Sequence, residues 1–171
     1  MQPSPIHLME MYYLGISVVP QFPQNADEVP GPGFARGFDF NGVNIGETIK
    51  FNIFSTKNNE LTYGVNLRIV ISNNEGKIAP YAIDIEASGL FVISESVPKE
   101  KHEEMAIVNG CAILYSAIRE QVMTITSRSY GGLFILPTVN FLDKIKKENN
   151  QNMTSEQSRG IKKKRTSKSA P

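Results

Sequence analysis

The sequence contains one cysteine, two histidines and no apolar run long enough to cross a membrane. Its longest apolar stretches, residues 110–118 and 89–93, fall short of the roughly 18 to 20 residues that a membrane-spanning helix needs. Cys111 has no second cysteine with which to form an internal disulfide. One cysteine and two histidines also leave a structural zinc site short of its usual ligands. We therefore expect neither a membrane span nor a structural metal site.

Lys and Arg are absent before Arg36, and the N-terminus lacks the compact apolar block of a secretory signal. We therefore expect no secretory signal. A single cysteine without such a signal is typical of a protein of the reducing cytoplasm, which we predict as the compartment.

The net charge of +1 hides an uneven distribution of charge. Residues 149–171 contain six basic residues and one acid, a net charge of +5, so the twelve basic and sixteen acidic residues before them give −4. The last stretch is also poor in large apolar side chains and cannot bury enough surface to offset the entropy lost on ordering. We predict a frayed N-terminus over residues 1–5, one folded domain over residues 6–148 and a disordered basic tail over residues 149–171.

Alternation of apolar and polar residues predicts an antiparallel sheet of four strands. A period of two runs over residues 61–72 and again over residues 81–93, with turn residues between them, which indicates a hairpin. Residues 49–53 form a further strand, and residues 9–19, apolar on both faces, form the fourth. The long irregular stretch 20–44 carries four phenylalanines, and loops of this length in compact domains are usually functional.

Beyond the strands, the apolar residues change to helical spacing. A stripe from Met105 to Ile125 recurs at intervals of three and four residues, and the opposite side carries Ile107 and Leu114. We predict a helix of about 30 residues with two apolar faces, of which one covers the sheet and the other meets a partner. A short last helix over residues 139–147 completes an α+β fold, in which the long helix covers one face of a four-stranded antiparallel sheet.

The sequence shows no strong catalytic constellation. Ser96 and Lys99 have the spacing of a serine acyl enzyme without its companion motifs, so we interpret Ser96 as a helix cap. His102 is expected on a solvated face because no nucleophile accompanies it, and Cys111 is expected to be a small buried apolar residue. We predict a protein that is not an enzyme. A small structural or nucleic-acid-associated protein acting through the basic run 162–165 is the alternative from another class.

Three motifs resemble signatures of the SecB family of protein-export chaperones. They are Ile-Leu-Tyr-Ser-Ala-Ile-Arg-Glu at 113–120, Pro-Thr-Val-Asn-Phe at 137–141 and Gly-Leu-Phe at 89–91. In that family, an Ile-Leu-Phe-Pro-Tyr-Ala-Arg-Glu run lies in the long helix, and Pro-Val-Asn-Phe leads into the last helix. Matching elements extend over about residues 8–147, in the family's order of four strands and two helices.

The resemblance implies a homotetramer, a dimer of dimers with sheets outside and long helices inside, which holds unfolded polypeptide in hydrophobic grooves without a cofactor. Its groove is bordered by the loop between the first two strands and by the two helices. The apolar residues at the loop and last-helix positions here are Phe22, Phe34, Phe38, Phe40, Phe141, Leu142 and Ile145. The expected subunit interface combines small residues with the signature charge pair, namely Gly110, Ala112, Ser116, Ala117, Arg119 and Glu120.

The chain departs from the family pattern at positions that bear on its partners. Ser116 stands where the family often has proline, so the motif is more similar to SecB-like chaperones that accompany toxin–antitoxin pairs. The resemblance implies docking of the SecA motor through acids on the sheet, for which Asp84 and Glu86 are the candidates. Gly15 and Val19 occupy the acidic positions of the first strand. Preproteins, an antitoxin and another dedicated client are therefore all open as clients.

Overall fold

Four strands and one long helix form the described part of the chain. The computed structural model describes residues 4–22, 31–55 and 61–142. It divides into two compact units, Met1–Val139 and Asn140–Pro171, and the first contains every helix and strand given below. The elements are β1 (Ile6–Pro20), β2 (Gly46–Ser55), β3 (Leu61–Ile71), β4 (Tyr81–Ile93), a 3-10 turn (Lys99–Lys101) and α1 (His102–Thr126).

The strands form a single antiparallel sheet in the order β1-β4-β3-β2. This confirms the predicted four-stranded sheet and the hairpin of β3 and β4. The two edge strands are longer than predicted, since β1 begins at Ile6 and β2 covers Gly46–Ser55. The sequence signal is weaker at the edges because an edge strand has fewer buried positions to alternate with polar ones.

Two bulges in β1 explain why its sequence is apolar on both faces. One bulge follows Leu8 and the other follows Tyr13. Each inserts one residue, so the alternation between faces restarts after it. Leu8, Tyr13 and Val18 consequently all pair with buried β4 residues on the face that meets the helix.

Helix α1 packs on one face of the sheet and contacts β1, β3 and β4. It has 25 residues, shorter than the predicted 30. Its buried surface joins both predicted stripes, because Ile107 and Leu114 are buried together with Cys111 and Ile118, whereas Met105 is half-buried. Much of both apolar stripes of the helix is therefore buried within its own chain.

Gly110 allows this close packing of helix and sheet. A Cβ atom added to Gly110 would lie 3.0 Å from Val65 Cγ2 and 3.2 Å from Phe91 Cε2. Both neighbours are fully buried in the centre of the sheet. At Gly110 the helix therefore packs directly against the core of its own chain.

His102 begins α1 and is buried, so the prediction of a solvated face is wrong. The Tyr63 hydroxyl lies 2.7 Å from His102 Nδ1, and His102 Nε2 lies 2.8 Å from the Val97 carbonyl. Because a carbonyl oxygen only accepts, Nε2 donates to Val97, and in the neutral imidazole Nδ1 then accepts from the Tyr63 hydroxyl. The predicted cap is also wrong, since neither helical start has a side-chain cap bond and the Ser96 hydroxyl pairs with Ser94.

Several predictions fall on residues outside the described part of the chain. The described residues 139–142 are not helical, and the remainder of the predicted last helix lies outside the description. The same holds for the predicted boundary at residue 148, the basic tail and residues 1–3. Within the described ranges, no helix is both long enough and apolar enough to cross a membrane.

Candidate functional site

Residues 21–45 join β1 to β2, and the structure describes 21–22 and 31–45 of them; we call these described residues the crossover loop. It is tied to the turn that follows α1 by two backbone hydrogen bonds. Gly33 N–H donates to the Tyr130 carbonyl at 3.0 Å, and Ala35 N–H donates to the Gly131 carbonyl at 2.8 Å. Gly132, with φ of 77°, lets the chain reverse here, in a conformation that other residues rarely adopt.

A second attachment joins the crossover loop to the turn between β3 and β4. Lys77 N–H donates to the Gly42 carbonyl at 2.7 Å, and the Lys77 ammonium donates to the Asp39 carbonyl at 2.7 Å. The same ammonium lies 4.7 Å from the centre of the Phe38 ring, a cation–π contact. The pKa of the Asp39 carboxyl is lowered chiefly by the hydrogen bond from the Asn41 N–H and to a smaller extent by the Lys77 ammonium. The described part of the loop is therefore held at both ends.

Aromatic side chains of the loop form two clusters. In the first, Phe22 lies 5.9 Å from Phe34 and 6.1 Å from Tyr130, measured between ring centres. We call these three residues the outer aromatic cluster, because Phe22 and Tyr130 are exposed. Rings at such distances attract one another beyond the area they bury.

The second cluster lies deeper. Phe134 is fully buried, with its ring centre 5.8 Å from Phe38, 5.2 Å from Phe40 and 5.5 Å from Tyr81. Phe38 and Phe40 also meet edge to face at 5.4 Å. Both are half-buried, so they join the core to the surface.

Two open cavities adjoin at Arg36. The first, about 420 Å³, is lined by Arg36, Arg128, Ser129 and Tyr130 together with loop residues, and we call it the arginine pocket. The second, about 220 Å³, is the phenylalanine pocket. Its lining includes Arg36, Phe38, Phe40, Leu133, Phe134 and Ile135. Together their linings combine apolar side chains with polar groups, including two guanidinium groups.

The structure brings four of the predicted client residues to this depression. Phe38 and Phe40 line the phenylalanine pocket, and Phe22 and Phe34 belong to the outer aromatic cluster beside the arginine pocket. Sequence reasoning missed Arg36, Arg128, Tyr130, Phe134 and Ile135. The Tyr-Gly-Gly break after the helix was a signal for this turn, but nothing in the sequence indicated its contact with the loop.

The remaining predicted client residues belong to the second compact unit or lie outside the description. Phe141 and Leu142 are in the unit Asn140–Pro171, where Leu142 N–H donates to Asn140 Oδ1 at 3.0 Å. Ile145 lies outside the described residues. Their place in a client groove stays a prediction.

The side of α1 away from the sheet carries most of the predicted interface residues. Ala112, Ser116 and Glu120 are exposed and follow one another at intervals of four residues, so they form one strip along the helix. Ala117 is half-buried beside it, and its carbonyl accepts a 3.0 Å hydrogen bond from the Tyr13 hydroxyl. Two of the strip's three side chains are small and uncharged, which suits close approach of another surface.

Arg119 and Gly110 are placed differently from the exposed strip. Arg119 is half-buried, and its Nε is buried without a hydrogen-bond partner among the described residues. Gly110 lies on the side that meets the sheet, against Val65 and Phe91. An interface role for either residue stays a prediction.

The acids predicted to dock the SecA motor lie on the other face of the sheet and are paired. Asp84 accepts two hydrogen bonds from the Arg68 guanidinium, at 2.7 Å and 2.6 Å, and Lys50 lies 3.8 Å from Glu86. Arg68 lowers the pKa of the Asp84 carboxyl, first through these hydrogen bonds. Gly15 pairs with Glu86 across the strands and brings no further acid.

No group of three or more His, Cys, Asp or Glu side chains in residues 4–22, 31–55 and 61–142 is arranged to hold a metal ion. Cys111 is fully buried, as predicted. Burial raises the pKa of its thiol to about 12, which suppresses the thiolate that would act as a nucleophile.

Comparisons with known proteins place the fold. The family model described as "Preprotein translocase subunit SecB" matches residues 46–152, more than half of the chain. No curated protein sequence matches. A crystal structure of a Streptococcus agalactiae protein of unknown function is 10% identical, with a TM-score of 0.50, and the match covers 78% of this chain and 97% of that one. Identity this low bears on the fold alone.

A second solved structure is a Mycobacterium tuberculosis SecB-like chaperone in complex with a ChAD peptide from the HigA1 antitoxin. It is 16% identical, with a TM-score of 0.45, and the match covers 79% of this chain and 91% of that one. The four-stranded antiparallel sheet with its covering helix, and the match over residues 46–152, define the class of protein. The chain belongs to the SecB family.

Proposed function

We propose that the protein is a chaperone that binds non-native polypeptide along the crossover loop. The observation that carries the proposal is a set of large apolar side chains left exposed beside two open cavities: Phe22 (49% exposed), Tyr130 (49%) and Ile135 (41%). Exposed apolar surface bordering a depression is typical of a binding site for another chain. Membership of the SecB family supports the same function.

The affinity for a client comes mainly from apolar burial. Each square ångström of apolar surface removed from water contributes about 25 cal/mol, and this contribution does not fall with salt. An unfolded polypeptide offers such surface, whereas a folded protein has already buried it. The site thereby distinguishes the two states without any catalytic step, so we propose a binding protein that needs no cofactor.

We also propose that the protein works as a homotetramer, a dimer of dimers. Two surfaces support this proposal. Strand β1 is a 15-residue edge strand with exposed apolar side chains, and such edges favour pairing with another chain. The strip of Ala112, Ser116 and Glu120 offers a second, separate surface for helix packing. Sheets would then lie outside and long helices inside.

The clients are preproteins, an antitoxin or another dedicated polypeptide, and one observation favours a dedicated client. Arg68 and Lys50 already pair with Asp84 and Glu86, so the face expected to dock SecA carries little uncompensated negative charge. Such docking depends on charge complementarity, which compensation weakens. We place the protein in the cytoplasm, and a toxin–antitoxin gene pair beside its gene would identify an antitoxin as the client.

The test is suppression of aggregation by the purified full-length chain. A chemically denatured protein that scatters light on dilution should scatter less at equimolar chaperone, without added nucleotide. A chain lacking residues 149–171 should suppress scattering equally well. If only the full-length chain acts, and if it also binds nucleic acid through the tail, the basic tail is the working element and the proposal is wrong.

A further inference from the structure

The crossover loop contains a tight turn built on the dipeptide Asn41–Gly42. The Val43 N–H donates to the Phe40 carbonyl at 3.0 Å and closes the turn. Gly42 has a φ of 82°, whereas the φ of Asn41 is not positive. These features fit a type II turn with Asn41 and Gly42 at its two central positions. Both residues are exposed, so water reaches the turn.

The two groups of this dipeptide that can react with each other are unbonded. Within the described ranges, neither the Asn41 side-chain amide nor the Gly42 N–H has a hydrogen-bond partner. Asn41 is held by its backbone N–H instead, which donates to Asp39 Oδ1 at 3.0 Å. Gly42 has no Cβ atom to hinder approach to its nitrogen. Rotation within an exposed turn is therefore enough to bring the Gly42 nitrogen to the Asn41 side chain.

The sequence contains a second Asn–Gly pair, Asn109–Gly110, in a different environment. It lies inside α1, where the backbone is fixed by helical hydrogen bonds. Asn109 Nδ2 donates to the Met105 carbonyl at 3.1 Å, and Gly110 is buried against the sheet. The same dipeptide is thus free to rearrange in the turn and held in the helix.

We propose that Asn41–Gly42 is a self-modification site, at which the Gly42 nitrogen attacks Cγ of Asn41. The new N–Cγ bond replaces the Cγ–Nδ2 bond, and the side-chain NH2 group leaves as ammonia with the Gly42 N–H proton. Water then opens the cyclic succinimide, adding OH to a carbonyl carbon and hydrogen to the ring nitrogen. Opening at Cγ leaves an aspartyl residue, and opening at the backbone carbonyl leaves an isoaspartyl residue.

An isoaspartyl link would loosen the loop because it lengthens the backbone by one carbon atom where the loop is attached. The Gly42 carbonyl accepts the Lys77 N–H at 2.7 Å, and Val43 pairs with Gly76. A Cβ atom on Gly76 would lie 2.5 Å from the Gly42 oxygen, so the two segments have no slack. The adjoining phenylalanine pocket would loosen with them. A resulting loss of client binding rests on the proposed function, whereas the modification itself does not.

Peptide mass mapping of the full-length protein, aged in mildly alkaline buffer, measures the reaction. We expect Asn41 to convert at least about tenfold faster than Asn109, because reaction at Asn109 requires α1 to open first. In urea the two residues should convert at similar rates, and Asn41→Gln should abolish conversion in the loop. A native rate at Asn41 no higher than that at Asn109 overturns the inference. A rate difference that persists in urea also overturns it, since the fold would not be its cause.

Hydrogen exchange measures the loosening without a client. The modified protein carries one more negative charge and is separated by ion exchange, and fragmentation by electron transfer identifies its isoaspartyl fraction. In this fraction the N–H groups of Val43 and Lys77 should exchange about fivefold faster or more. Asn41→Asp adds the carboxylate without the extra backbone atom and should exchange like the unaltered protein. Equal exchange in the isoaspartyl fraction, or equally fast exchange in Asn41→Asp, overturns the loosening.

Binding of an unfolded protein separates this inference from the proposed function. Reduced, carbamidomethylated α-lactalbumin should bind the isoaspartyl fraction more weakly than it binds Asn41→Asp. Faster exchange with unchanged binding would contradict the placement of the client on the crossover loop and leave the modification site supported. Absence of binding to the unaltered protein would refute the proposed function, and the mass mapping would still decide the modification.

Discussion

A Cβ atom on Gly132 would lie 2.7 Å from the Cα atom of Gly33, so the turn after α1 and the crossover loop meet backbone against backbone. This contact is closer than any residue with a side chain allows. Both glycines line the arginine pocket. The geometry of the proposed client site therefore depends on these two glycines.

Replacing Gly132 tests this dependence. We expect Gly132→Ala to lower the free energy of unfolding by about 1 to 3 kcal/mol, because the alanine must adopt a positive φ and must push the loop backbone away. Urea denaturation followed by circular dichroism measures the change. Gly31→Ala is the control, since nothing lies within 4 Å of its Cβ position and its φ is not positive. Equal stabilities of the two variants would contradict the packing described.

Removing His102 should destabilise the junction of α1 and β3. His102→Ala leaves the buried Tyr63 hydroxyl and the partly buried Val97 carbonyl without their partner, and the tyrosine alone should cost about 1 to 3 kcal/mol. His7→Ala, at an exposed position of β1, should change the unfolding free energy by less than about 0.5 kcal/mol. Urea unfolding of both variants gives the comparison, and a loss no larger than that of the His7 variant would show that the buried pair does not stabilise the fold.

Alkaline pH should destabilise the protein through two buried groups. Burial raises the pKa of the Cys111 thiol and of the Tyr115 hydroxyl to about 12. Between their ordinary values and about 12, the unfolded state loses these protons and the folded state keeps them, so stability falls as pH rises. Thermal melts from pH 8 to 11 should show this decline, and Cys111→Ala should make it shallower. A decline of equal slope in the variant would remove Cys111 as a cause.

The tetramer prediction depends on the exposed strip of α1. Ala112→Arg places a charge where we expect another helix to pack, and an unpaired buried charge costs several kcal/mol, so the assembly should dissociate. Light scattering coupled to gel filtration measures the mass. Asn74→Arg adds the same charge at the exposed turn between β3 and β4 and should leave a tetramer. A tetramer in both variants would place the interface elsewhere, and a monomer near 19.0 kDa for the unaltered protein would exclude the assembly.

The central strands were predictable from sequence because their environment repeats along the chain. Every second residue from Tyr63 to Ile71 and from Tyr81 to Ile93 is buried, so the period of two is preserved. Strand β1 pairs equally well, but its two bulges restart the alternation, and no local sequence rule places a bulge. The sequence therefore predicted the apolar residues of β1 but not the register in which they pair with β4.

The candidate site was predictable only in part, because it is made by contacts distant in sequence. The loop phenylalanines indicated an apolar surface, since aromatic residues in a long loop are unusual without a packing partner. The buried pairing of His102 with Tyr63 joins residues 39 positions apart, and local charge around His102 suggested exposure instead. The convergence of Arg36 with Arg128 likewise follows from the backbone bonds of Gly33 and Ala35, which carry no sequence signature.

The central claim is that exposed apolar residues of the folded body bind the client. The direct test is the affinity for reduced, carbamidomethylated α-lactalbumin, which stays unfolded, measured by fluorescence anisotropy at low and high salt. Three exposed apolar residues of the site are replaced in Phe22→Ser/Tyr130→Ser/Ile135→Ser. The control replaces three equally exposed apolar residues elsewhere, in Ile53→Ser/Phe54→Ser/Ile78→Ser.

We expect the site variant to bind about tenfold more weakly or worse, with unchanged circular dichroism, because it loses apolar area that the client would bury. The control variant, the chain lacking residues 149–171 and the unaltered protein in high salt should all bind with nearly full affinity. Affinity that collapses with salt or with loss of the tail, while the site variant binds normally, would contradict the account.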